Sequence, residues 1–96
     1  MAKEIQNPSR LGDIAEHYVI TWLWDEGFEV FPNAGCSGPI DMIAVKGGVP
    51  VFIDVKSRND GNNFTRERSE LQKKIGVRHV FFNGKTRKCR WVEHRV

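Results

Sequence analysis

The sequence predicts an α+β domain with the element order αβββαββ, a mixed β-sheet flanked by helices. Three observations predict it. Apolar residues recur at helical spacing through residues 9–26. Two apolar runs, 40–46 and 49–57, are joined only by Gly47-Gly48, a strong two-residue hairpin signal. A second helical stretch, about 66–75, separates the third strand from the fourth and supplies a crossover connection. At 96 residues the chain fits one domain, residues 1–96, with a modest core.

In chain order, Ser9 is the expected N-cap of the first helix and Gly27 its terminator. Leu11, Ile14, Ala15, Tyr18, Val19, Trp22 and Leu23 form its apolar stripe; Ile20 and Trp24 fall outside and are free to touch a partner subunit. Residues 28–33 alternate weakly as a strand, and 34–39 (AGCSGP) have turn chemistry. The hairpin strands follow, then a polar segment, 58–65. Thr65 is the expected cap of the second helix, which Gly76 ends. Residues 77–82 read as a strand, Asn83-Gly84 as a turn and 88–94 as the last strand.

Composition narrows the class. With 40% hydrophobic and 28% charged residues, disorder is a poor fit. No apolar run reaches the ~18 residues of a membrane span, and MAKEIQNPSR lacks a signal-peptide core. A cytoplasmic protein is the expectation (host cytoplasm if phage-encoded). Cys36 and Cys89 form no CxxC pair and read as free thiols. His17, His79 and His94 show no zinc spacing and read as surface or strand residues. Residues 1–56 hold 4 Lys/Arg against 8 Asp/Glu; residues 57–96 hold 11 against 4. An acidic half joined to a basic half suits a cation site beside a phosphate-holding surface; a solvated basic face is the plain alternative.

The hairpin brings charges together. If Lys46 pairs with Val49, paired positions add up to 95 and Asp41 lies opposite Asp54. Cross-strand neighbours have Cβ atoms about 4.5–5.5 Å apart. Lys56, two residues beyond Asp54, points to the same face. Two carboxylates ~5 Å apart repel by roughly 3 kcal/mol at an effective dielectric near 20. A divalent cation between them relieves this, and a hard oxygen site with open water positions suits Mg²⁺. Such an ion binds a phosphate oxygen and activates a neighbouring water. The alternative is a strand with one wet side and Asp41 in a turn, and a bulge at Pro50 would break the register.

The segments GDIAEHYVITWLWDEGFEVFPN, SGPIDMIAV and VFIDVKS, in that order, resemble the PD-(D/E)XK nuclease superfamily. The matching signature is a helix carrying Glu16, then Pro39-Ile40-Asp41, a hydrophobic hairpin, and Asp54-Val55-Lys56. The chain is most similar to small members: archaeal-type Holliday junction resolvases, VRR-type nucleases, and phage or intron-encoded endonucleases. The resemblance covers about residues 10–82 and implies a restriction-endonuclease-like core. It implies that Asp41, Asp54 and the Val55 carbonyl bind Mg²⁺ or Mn²⁺. Glu16 would complete the metal shell, through water if need be. Lys56 would orient the attacking water and offset phosphate charge, and hydrolysis would leave a 5′-phosphate. Gln72 resembles a second-helix residue of some members. The short 35–39 turn and Asp rather than Glu at position 54 depart from the resolvase pattern.

Glu16 sits at the border of the helical stripe, within reach of the sheet rim, with Gly12 one turn earlier leaving room for close approach. Arg58, Arg66, Arg68, Lys73 and Lys74 are the expected DNA-backbone contacts, extended by Lys85, Arg87, Lys88 and Arg90. Ser37 is a turn residue within reach of phosphate; Phe81 and Trp91 read as core. The expected function is a metal-dependent DNA endonuclease, a homodimer selective for branched or junction DNA. Alternatives are a site-specific restriction or homing-type endonuclease and a catalytically inactive DNA-binding module.

Overall fold

In a computed structural model, which describes residues 4–35, 37–61 and 67–93, helix α1 spans Pro8–Asp25. Its cap is Asn7, not Ser9. Proline has no N–H to satisfy and a preset φ, so Pro8 takes the first helical position and moves the cap upstream. The Asn7 side chain accepts from the Ser9 and Arg10 N–H groups at 2.9 and 3.3 Å. Gly27, at φ +92°, ends the helix. Around it, the Phe28 N–H reaches the Leu23 carbonyl at 3.0 Å and the Gly27 N–H reaches that of Trp24 at 2.9 Å.

Strands β1 (Glu29–Pro32), β2 (Met42–Lys46), β3 (Val49–Arg58), β4 (Arg78–Asn83) and β5 (Lys88–Trp91) form one sheet in chain order. Neighbours are antiparallel except β3 and β4, which run parallel across helix α2 (Glu70–Ile75). Gly47 and Gly48 hold φ of +60° and +75°, the two left-handed positions a type I′ turn needs. The hairpin keeps its register from Lys46↔Val49 through Val45↔Pro50 to Met42↔Ile53, with no bulge at Pro50. At the hairpin tip, Lys46 Nζ donates to the Glu26 carbonyl at 2.6 Å, a cation at the negative end of α1.

Several boundaries differ from the sequence expectation. β2 begins at Met42 rather than residue 40. α2 begins at Glu70 rather than 66, because Ser69 and Gln72 form a reciprocal capping box; Thr65 and Arg66 lie outside the described residues. The turn after β4 runs through Gly84–Arg87, and its left-handed residue is Arg87 (φ +65°), not Gly84. β5 closes at Trp91; His94, like Cys36, lies outside the described residues.

Gly84 is there for space. A Cβ on it would stand 3.1 Å from Asn59 Cβ and 3.2 Å from the Arg58 carbonyl oxygen, and its N–H donates to that oxygen at 2.7 Å. Gly84→Ala is expected to destabilise the fold by about 1–3 kcal/mol, read as a lower denaturant midpoint at unchanged slope. Gly12 differs: a Cβ there would meet nothing within 4 Å, so the expected close backbone approach does not occur.

Ala15, Val19 and Leu23 of α1 pack on Met42, Ala44, Ile53, Val80 and Phe82 of the sheet. Ile20 packs against this core too, so it is not a free surface residue, whereas Trp24 is 59% exposed. Strand alternation sends Asp54, Lys56, His79 and Phe81 to the face opposite α1. Phe81 is buried there; Trp91, half-buried, stacks near Trp22 and Phe28 with ring centroids 5.6 and 6.0 Å away. Among the described residues no helix is long and apolar enough to cross a membrane.

Candidate active site

The site forms where the β2–β3 ladder runs out. Regular pairing stops at Met42↔Ile53, one residue short of the expected Asp41–Asp54 pair. The Asp41 N–H still donates to the Ile53 carbonyl at 2.8 Å. Its carboxylate takes over as a ladder acceptor: Oδ2 receives the Val55 N–H at 2.7 Å. This brings Asp41 into hydrogen-bonding contact with the Asp54 carboxyl. Lys56 Nζ lies 2.9 Å from Asp54 Oδ2.

Two carboxyls in contact cannot both ionise cheaply. Burial, then the hydrogen bond to Asp54, then the charges of Asp54 and Glu16 push Asp41 up to about 7, against the lowering effect of the Val55 N–H. Burial also opposes ionisation of Asp54. Hydrogen bonds with Asp41, Lys56 and Gln72, together with the Lys56 charge, outweigh that and hold it below the ordinary range. Glu16, half-buried on α1, is raised by burial first and then by Asp13 and Asp54, with His17 opposing. Its charge acts on both aspartates, yet among the described residues no three acidic, histidine or cysteine side chains converge as a metal-ligand group.

A pH dependence follows. Asp41 binds its proton more tightly folded than unfolded, so this contribution to stability is full below its ordinary value of 3.8 and is lost as pH rises through about 7. Asp54, shifted the other way, contributes above the ordinary range and stays ionised in this window. In chelator, the folded protein should therefore lose about 1–2 kcal/mol between pH 5 and 8 after allowance for solvent screening. Thermal melts of the parent and Asp41→Asn across that range check this: the variant should lack that component of the slope.

The structure also gathers residues beyond the expected set. His79, fully buried and paired with Asp54 in the parallel β3–β4 register, has Nε2 3.4 Å from Asp54 Oδ2 and 3.0 Å from Gln72 Oε1. Gln72, expected from the resemblance, does reach the aspartates' surroundings and donates to the Pro39 carbonyl at 3.1 Å. His79 carries no sequence signal of this kind, since only the β3–β4 register sets it beside Asp54.

The expected DNA contacts separate. Arg68 Nη1 donates to the Val77 carbonyl at 3.2 Å, a tie between the approach to α2 and β4. Arg58 pairs with Asp60 at 2.8 Å and Lys73 with Glu70 at 3.4 Å, both on exposed ground. Lys74 is exposed in the last turn of α2. Arg90 lies over the Phe81 ring at 5.0 Å and Arg87 over Tyr18 at 5.8 Å. Cys89 is a free thiol that burial pushes up to about 11, well away from reactivity.

The fold is similar to that of a bacterial homing endonuclease, I-Ssp6803I, at a TM-score of 0.67 and 16% identity, covering 92% of this chain and 66% of the other. Two sequence relatives carry the name crossover junction endodeoxyribonuclease Hjc. The chain is 38% identical to that of Sulfurisphaera tokodaii over 72 residues, 69% of this chain and 49% of the relative. It is 33% identical to that of Sulfolobus acidocaldarius over 66 residues, 64% and 46% respectively. The chain thus spans about half the length of these curated relatives. The profile of the archaeal Holliday junction resolvase family matches residues 7–87. On that match, over an αβββαββ core with its acidic pair at the hairpin end, the chain belongs to the archaeal Holliday junction resolvase (Hjc) family.

Proposed function

We propose that this protein is a metal-dependent endodeoxyribonuclease that hydrolyses phosphodiester bonds in junction DNA, working in the cytoplasm as a homodimer. The observation that carries the reading is the Asp41–Asp54 contact, two carboxyls side by side with the Lys56 ammonium 2.9 Å from Asp54. A carboxyl whose ionisation is opposed first by burial and then by an acidic neighbour is an arrangement that a divalent cation relieves. Two carboxylates and open water positions fit Mg²⁺, with Mn²⁺ a substitute, since Mg²⁺ commonly takes only one or two protein carboxylates. Asp41, Asp54 and the Val55 carbonyl would hold it, with Glu16 reaching through water. Bound there, the ion supplies Lewis acidity toward a phosphate oxygen and a more acidic water.

The chain's own residues do the rest. Lys56, about a third exposed, has its ammonium anchored on Asp54 and its reach toward solvent open. It would orient the attacking water and offset charge developing on the phosphate. Gln72 limits the freedom of the acidic pair by tying α2 to the Pro39 carbonyl. Lys73 and Lys74 on α2, Arg58 at the end of β3, and Arg66 would contact the DNA backbone; Arg68 shares that role with its tie to Val77. The names of the two archaeal relatives favour a crossover junction as substrate.

The test is cleavage of four-way junction, linear duplex and single-stranded DNA with Mg²⁺ and with chelator. Preferential junction cutting that needs Mg²⁺ is expected. Equal cutting in chelator removes the metal, and equal cutting of all three substrates removes the junction preference.

A further inference from the structure

We infer that His79 is a positioning residue for Asp54, holding the carboxylate in its cation-binding orientation through a proton on Nε2 that Gln72 dictates. The inference rests on the metal-dependent reading proposed above.

The Gln72 amide admits one orientation. Its Nε2 donates to the Pro39 carbonyl at 3.1 Å, an atom that only accepts. Its Oε1 accepts from the Ser69 N–H at 3.2 Å, a group that only donates. A flipped amide would lose both bonds. Oε1 therefore faces His79 Nε2 at 3.0 Å, and another neighbour of that nitrogen is Asp54 Oδ2 at 3.4 Å. Both neighbours are acceptors, so the ring keeps its proton on Nε2.

Lys56 and His79, which both face Asp54 Oδ2, differ in stiffness. Lys56 approaches on a long stem that is about a third exposed. His79 stands on the adjacent parallel strand, fully buried, with two side-chain torsions. Its Nε2 is hydrogen-bonded to Gln72 Oε1 at 3.0 Å rather than to Asp54, and that bond holds the positive end of the ring N–H dipole 3.4 Å from Asp54 Oδ2. Gln72 joins it to the α2 cap and to the turn before β2, so three elements fix where the His79 proton points. Partners of this kind, just behind a metal ligand, change metal affinity by about 10–100-fold when removed.

The experiment measures Mn²⁺ and Mg²⁺ binding to the DNA-free protein by calorimetry for the parent, His79→Leu and His79→Gln, alongside thermal melts. Leucine fills the buried volume without a donor; glutamine carries an amide N–H to about the Nε2 position. His79→Leu is expected to lose about 10-fold or more in affinity and His79→Gln to recover to within about threefold of the parent. A packing role predicts the reverse order, because the apolar side chain suits a buried site better. Leucine equal to the parent, or glutamine no better than leucine, overturns the inference. Should His79→Leu fail to fold, the nitrogen-15 spectrum of the parent's His79 decides: a proton on Nε2 supports it and one on Nδ1 overturns it. Parent protein that binds no divalent cation and cuts no junction overturns the metal reading and this inference together; parent binding that leucine leaves unchanged overturns this inference alone.

Discussion

Asp54→Asn is expected to lower Mg²⁺-dependent junction cleavage by at least about 10²–10³-fold while leaving the protein folded and bound to DNA. Asparagine keeps the volume and the hydrogen-bonding reach of the buried aspartate, so packing around it survives. What goes is one of two negative charges that would hold the cation, and the anchor of Lys56 at 2.9 Å. The stabilisation that ionised Asp54 contributes through Lys56 and its hydrogen bonds goes with the charge, so the melting temperature in chelator should fall modestly. Single-turnover cleavage with saturating protein separates the loss of chemistry from a loss of binding. Parent-like cleavage by the variant would remove Asp54 from the reaction.

Phe82→Ala carries the largest expected cost in stability, about 3–5 kcal/mol. Phe82 is fully buried in the cluster between α1 and the sheet, and its ring lies 4.9 Å from that of Tyr18. Alanine leaves a cavity in a small core, with α1 on one side and β4 on the other. Domains of this size have about 5–15 kcal/mol in hand, so the variant sits near the edge of folding. Denaturant titration should show the midpoint falling sharply at an unchanged slope. Cleavage per folded molecule should stay close to the parent's, because Phe82 faces away from the acidic pair.

Much of this molecule can be read along the chain. The stripe on α1, the Gly47-Gly48 bend and the two glycine helix ends are local signals, and each element lies within a few residues of its expected position. Where boundaries moved, a local rule was still responsible. Pro8 displaced the cap to Asn7, and the Ser69–Gln72 box was a better helix start than Thr65. The hairpin register needs only the turn and strict alternation, so it too was legible, and with it the meeting of Asp41 and Asp54.

Other features needed contacts between elements distant in sequence. The pairing of β3 with β4 sets His79 beside Asp54, 25 positions away, and no periodicity encodes that parallel register. Gly84 looks like a turn glycine, yet Arg58, Asn59 and Leu11 are what exclude a side chain there. Asp41 looks like a strand residue, yet it leaves the ladder and substitutes its carboxylate for a main-chain acceptor. Sequence by itself determined the elements, the hairpin and the acidic pair, because turn geometry and side-chain alternation act over a few residues. Tertiary structure alone decided what surrounds that pair, because burial and hydrogen-bond direction depend on which strands and helices end up side by side.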